Sequence, residues 1–116
     1  MGPLDPGKDH AVVAVRSILD VTKQSEFDNV LATARQDSKD LIVDMTELTF
    51  MDTRCMAVLI RHWKRLTNSS QRLVLVRATY KTVRALWVTG LDGHIPHADT
   101  LDQALLTLAA KDNRTP

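Results

Sequence analysis

The side chains with chemical reach fall into three groups. His94 and His97 lie close to Asp92 and Asp99, residue types that could together hold a divalent metal. Pro96 stands between the histidines and the spacing fits no diagnostic metal pattern, so a pair of surface loop histidines is the plainer reading. Cys55 is the one cysteine. Near the start of a helix its thiol would feel a dipole that favours thiolate, but no second cysteine is present to resolve an oxidised sulfur. A small, partly buried side chain is the simpler role. Asp44, Glu47 and Asp52 flank a strand-to-helix turn, where such acids more often make a polar loop than an acid–base pair.

Other enzyme chemistries find no support. The four glycines stand at positions 2, 7, 90 and 93, so no glycine-rich phosphate loop exists, and no G-x-S-x-G elbow is present. The expectation is a protein that is not an enzyme, with no metal and no cofactor. The formal net charge of +1 hides a strong division along the chain. Residues 1–52 carry 5 basic and 10 acidic side chains, residues 53–90 carry 8 basic and none acidic, and residues 91–116 carry 2 and 4. A basic middle can face nucleic acid, a membrane surface or an acidic protein. Aromatic residues make up only 4% of the chain and the strand RLVLVR has none for bases to stack on, so nucleic acid is disfavoured.

Length and composition set the frame in which these residues sit. At about 100–150 residues per domain, 116 residues make one domain, and 44% hydrophobic content supplies a core. No apolar run approaches the ~20 residues that span a bilayer, and MGPLDPGKDH lacks a signal-peptide core. A cytoplasmic location without membrane insertion is expected. Residues 1–9 read as a flexible leader, 10–110 as the folded domain and 111–116 as a disordered tail.

Periodicity then gives the elements. HAVVAVR, residues 10–16, is a β-branched run and predicts a strand. After a connection over 17–21, Thr22 is a plausible cap for a helix burying Phe27, Val30, Leu31 and Ala34. LIVDMT, residues 41–46, predicts a second, nearly continuous apolar strand. A helix from Thr53 to about Asn68 sets Met56, Leu59, Ile60, Trp63 and Leu66 on one side and Arg54, Arg61 and Arg65 on the other. Ala57 and Val58 fall among the arginines, as a small apolar spot suited to a partner or as ordinary surface residues.

Leu73–Val76 predicts a third strand, followed by a helix over Tyr80–Thr89 capped by Thr79 and ended by Gly90. A short strand over Ile95–Ala98 follows. Thr100 and Gln103 then form a capping box for a last helix burying Leu101, Ala104, Leu105 and Leu108. This alternation predicts a single α/β domain with a mixed, mostly parallel four- to five-stranded sheet and about four helices.

Against that frame, Leu41–Met56, LIVDMTELTFMDTRCM, resembles the central motif of the STAS domain, the sulfate transporter and anti-sigma factor antagonist family. The family's pattern is an apolar strand ending in Asp, an apolar pair, then Asp-Ser-Ser/Thr-Gly-Leu opening a helix. Here Ile42-Val43-Asp44 ends the strand, Phe50-Met51 is the pair and Asp52-Thr53 opens the helix. Asp20 stands where the family's Gly-Glu-Leu/Ile-Asp motif ends, Thr89-Gly90-Leu91 matches its Thr-Gly-Leu, and Leu101–Leu108 its closing helix. The resemblance covers about residues 10–110. Departures are Arg54 for the second Ser/Thr, Cys55 for Gly, Met56 for Leu, and Ser17-Ile18-Leu19 before Asp20. The family's first strand would fall in the proline-bearing leader, where a good strand is not expected.

The resemblance implies binding without catalysis. In bacterial anti-sigma factor antagonists the hydroxyl residue after the Asp is phosphorylated by a partner that is both anti-sigma factor and kinase, and phosphorylation releases that partner. Thr53 is the matching residue; by position alone it is a helix N-cap. The implied contact surface comprises Asp20, Asp52, Thr53, Arg54, Cys55, Val58, Arg61 and Arg65. The protein would act as a monomer or weak dimer on an anti-sigma factor kinase and touch no nucleic acid directly. The family also includes non-phosphorylated adaptors, either subunits of lipid-transport ATPases or parts of stress-signalling assemblies.

Overall fold

The computed structural model describes residues 2–3, 10–36, 40–78 and 95–112. In chain order the elements are β1 (Gly2–Pro3), β2 (His10–Leu19), a 3-10 turn (Val21–Lys23), α1 (Gln24–Ala34), β3 (Asp40–Met51), α2 (Thr53–Asn68), β4 (Leu73–Val76), β5 (His97–Ala98) and α3 (Leu101–Asp112). The five strands form one sheet in sequential order, with β2 to β5 parallel and β1 antiparallel at the edge. The predicted mixed, mostly parallel α/β domain is therefore what forms.

The strand sequences explain a sheet covered on both faces. Alternate residues Ala11, Val13 and Val15, then Leu41, Val43 and Met45, then Leu73 and Leu75 point to one side, where α1 and α2 pack with Phe27, Leu31, Leu59 and Leu66. The intervening Val12, Ile42, Val74 and Val76 meet Ala104 and Leu108 of α3 on the other. This double burial is why these strands read as continuous apolar runs. Tertiary packing rather than helix propensity holds α2: Met56, Leu59 and Leu66 are all at most 2% exposed.

Several predicted boundaries move. β2 continues through Ser17–Leu19, which had read as a connection, because parallel pairing with β3 extends to the tip. The start of α1 is organised by Asp20, not by Thr22. Asp20 Oδ1 accepts the Thr22 N–H at 3.0 Å and also its hydroxyl, so Thr22 is a donor inside the 3-10 turn. Gly2–Pro3, read as leader, pairs with Val13 and Ala14 as an edge strand, the position in a sheet where proline is tolerated. Lys111 and Asp112, read as tail, belong to α3. The helix predicted over 80–89, its flanking Thr79 and Gly90, the Thr89-Gly90-Leu91 motif, and residues 4–9 and 113–116 lie outside the described residues.

The closing helix begins as expected. Thr100 Oγ1 accepts the Gln103 N–H at 3.1 Å, while the Gln103 side-chain carbonyl reaches back to the Asp99 N–H at 2.9 Å, one residue before the usual capping-box partner. At the other end of the sheet Asp40 accepts from both the backbone N–H and the guanidinium of Arg72, each at 2.8 Å, tying the start of β3 to that of β4.

Candidate functional site

The carboxyl ends of β2 and β3 meet the start of α2, and backbone chemistry fixes the junction. The Asp52 N–H donates to the Leu19 carbonyl at 2.8 Å, joining the tips of the two strands. Asp52 has extended dihedrals, φ −67 and ψ 152, and its Oδ1 accepts the Arg54 N–H at 2.7 Å. Asp52 is therefore the N-cap of α2. Thr53, predicted to cap, is instead the first helical residue. It is exposed, and its hydroxyl has no hydrogen-bond partner among the described residues.

Asp20 closes the other side of this junction. Its carboxyl is held below the usual carboxylate range chiefly by the Thr22 hydroxyl, against a smaller opposing effect of desolvation. Its carbonyl accepts from Cys55 Sγ at 3.3 Å. Cys55 is buried, and that burial, reinforced by the charges of Asp52 and Asp20, raises its pKa. The helix-start thiolate considered from sequence is thus disfavoured by burial and by the two neighbouring carboxylates. Cys55 pins the end of β2 to α2 from inside and presents no side chain to a partner.

The outward face of α2 carries Arg54, Ala57, Arg61, Lys64 and Arg65, and the helix contains no acidic residue. Val58 corrects the predicted surface. It is 1% exposed and packs in the core beside Leu59, because the apolar stripe of α2 is wider than the five positions read from sequence. Only Ala57 of the expected apolar spot faces out. Arg61 is half-engaged, its guanidinium lying 3.3 Å from Asp28 of α1.

Sequence reasoning missed the polar group beneath that pair. His62 is fully buried; its Nε2 lies 2.6 Å from Asp28 Oδ1, and its Nδ1 accepts from Arg35 Nε at 2.9 Å. Since Arg35 can only donate, the ring is neutral with its proton on Nε2. Desolvation is the largest cause lowering the His62 pKa, opposed by the Asp28 hydrogen bond. Its position between Leu59 and Leu66 on the buried stripe was the available signal. Nor did sequence reasoning anticipate that Ile18, Val21 and Phe50 remain exposed around the strand tips.

Of the predicted metal-binding group, His97 and Asp99 are exposed at the end of the sheet, while Asp92 and His94 lie outside the described residues. Among the described residues no cluster of three or more metal-ligating side chains forms. Asp44 does not end the strand, which runs on to Met51; it accepts from the Thr46 N–H at 3.0 Å and its hydroxyl at 2.5 Å, where the register with β2 shifts. No helix among the described residues is long and apolar enough to cross a membrane.

The strand tips, the capped helix and the motif between them coincide with a family pattern over nearly the whole chain. The family model described as "Mlab, STAS domain" matches residues 4–107, and the chain belongs to the STAS domain family. Solved structures agree on the fold. An anti-sigma factor antagonist from Mycobacterium paratuberculosis is 23% identical, with 90% of this chain and 91% of that one aligned at a TM-score of 0.78. An anti-sigma-factor antagonist (STAS) domain protein from Planctomyces limnophilus is 20% identical, with 94% and 99% covered at 0.79. The antagonist SpoIIAA in its unphosphorylated form is 14% identical, with 93% and 96% covered at 0.72. No curated protein matches the sequence at a significant level.

Proposed function

We propose that this chain is an anti-sigma factor antagonist, a non-catalytic module that binds an anti-sigma factor kinase and is switched off by phosphorylation at Thr53. The observation that carries the reading is the division of labour at the start of α2. Asp52 performs the capping, so the exposed Thr53 hydroxyl is left without a structural task. The likeness of the fold to solved anti-sigma factor antagonists supports this class of partner.

The electrostatics support a switch that leaves the fold intact. A phosphate on the first residue of α2 gains from the helix dipole and the open N–H groups of the first turn. It adds about −1.5 to −2 charge beside Asp52 and Arg54, at the head of a face whose other charged groups are basic. An acidic partner surface matched to Arg54, Arg61 and Arg65 would then meet a reversed potential. Asp20 and Asp52 bound this surface, and Cys55 holds it in place from below.

A second reading, an adaptor that binds a lipid-transport ATPase or a stress-signalling assembly without a phosphate cycle, is favoured by Cys55. The family pattern has glycine there, where this chain places a buried side chain bonded to Asp20. Incubating the protein with ATP and purified anti-sigma factor kinases of the same organism separates the two. Phosphate mapped to Thr53 by mass spectrometry, and lost in Thr53→Ala, supports the switch. Tight binding with no phosphate transfer supports the adaptor.

A further inference from the structure

Among the described residues His62 is the only buried polar side chain, and it joins α2 to both the middle and the end of α1. Its Nε2 lies 2.6 Å from Asp28 Oδ1, and its Nδ1 lies 2.9 Å from Arg35 Nε. Arg35 is half-buried and follows the last residue of α1, where its N–H closes the helix on the Leu31 carbonyl at 3.1 Å. The charged groups facing the ring are Asp28 and Arg35 of α1 and Arg61 of its own helix. The sheet beneath presents apolar side chains such as Leu41, Val43 and Leu73. The two ring nitrogens therefore respond differently to a proton. Arg35 can donate to Nδ1 only while that nitrogen keeps its lone pair. A proton there would set two donors and two positive charges against each other at 2.9 Å. The Nε2–H donates to Asp28 in either state, and more strongly when the ring is charged.

The geometry points to a proton-operated latch between α1 and α2: a proton on His62 Nδ1 expels the Arg35 guanidinium and loosens the end of α1, while the Asp28 bond keeps the ring in place. The proton comes from solvent, and no other group changes charge. Arg35 cannot give up its own proton. Asp28, held below the usual carboxylate range by His62 and then Arg61, stays ionised throughout. Burial first, and then the charge of Arg35, hold the ring neutral, so the latch is closed at neutral pH and opens as pH falls below the ordinary histidine value of 6.5. Leu31 and Ala34 remain buried against the core, which confines the release to the last turn of α1. The latch is independent of what docks at Thr53.

Nitrogen NMR of the full-length protein between about pH 7.5 and 5 tests the latch. At the upper end the His62 ring should show a bare Nδ1 and a protonated Nε2. On acidification Nδ1 should gain its proton, and the Arg35 Nε–H signal should shift with the same midpoint while the spectrum stays that of the folded protein. Amide protection at Ala34 and Arg35 should fall by about fivefold or more relative to Ile42 and Val43 of β3. Arg35→Met keeps an apolar stem but removes the donor and the charge. It should raise the His62 midpoint by about one pH unit, a tenfold gain in proton affinity. An Arg35 signal that ignores the His62 titration, unchanged protection at the end of α1, or an unshifted midpoint in Arg35→Met would overturn the latch. So would a ring that gains its proton only as the whole chain unfolds. Phosphorylation of Thr53 is tested separately by the kinase assay, so either reading can fail without the other.

Discussion

Asp52 caps α2, which leaves the exposed Thr53 hydroxyl without a structural task. The consequence is measurable as stability. Asp52→Ala should destabilise the fold by about 1 kcal/mol through loss of the cap. Thr53→Ala should stay within about 0.5 kcal/mol of the parent, as expected for an exposed side chain with no hydrogen bond. Urea unfolding of the two variants compares them directly, and a larger loss for Thr53→Ala would return the capping role to the threonine. The motif put Asp52-Thr53 at the opening of α2, where the structure has them. Which of them caps could not be read there, because Asp and Thr are both favoured N-caps and the choice depends on backbone angles.

His62 adds a pH dependence. Its ordinary value is 6.5, and burial lowers it in the folded state, so between the two values the unfolded chain binds more protons. Its contribution to stability is therefore complete above about pH 6.5 and declines as pH falls towards the lowered folded value. Asp28, held below the usual carboxylate range by His62 first and then Arg61, loses its contribution at still lower pH, in the same direction. Urea midpoints should fall between pH 7.5 and 5.5, and His62→Gln should flatten that fall. An unchanged slope in the variant would remove His62 as its source.

At the scale of elements, α2 matched its predicted span because its polarity and period are unambiguous; what the periodicity missed was the width of its buried stripe, Val58 and His62 included. β2 and β3 are longer than their predicted spans, whereas β5 covers only the last two residues of its own. Ser17, Glu47 and Thr49 look like loop residues, and only pairing between the long tips of β2 and β3 makes them strand. The end of α2 shows a similar compromise. Ser70 takes φ 65 in a turn where the Gln71 N–H reaches the Leu66 carbonyl and the Ser70 N–H the Thr67 carbonyl, a Schellman arrangement that favours glycine. Ser70→Gly should therefore stabilise the protein by about 0.5–1 kcal/mol, visible as a raised melting temperature, and a lowered one would contradict the strain assigned there.

For the whole molecule, the charge division read from sequence acquires a location. The change from an acidic first 52 residues to a basic stretch falls at the junction where Asp52 caps α2, so the basic residues of that helix share one outward face above a buried core. Arg54→Glu with Arg65→Glu should slow association with an acidic partner and flatten its salt dependence, leaving stability nearly unchanged. Arg61→Glu should also destabilise, since it sets a carboxylate against Asp28. Fold class was recoverable from alternating patterns alone, whereas the proposed class of partner rests on family resemblance; no local pattern names the protein that an exposed surface binds.

Phosphate on Thr53 is proposed to control binding. The most direct test is titration calorimetry of a purified anti-sigma factor kinase with the unmodified protein and with protein carrying phosphate on Thr53 alone. The phosphorylated form should bind at least about tenfold more weakly, with an unchanged circular dichroism spectrum and melting temperature. Equal affinities for the two forms would contradict it.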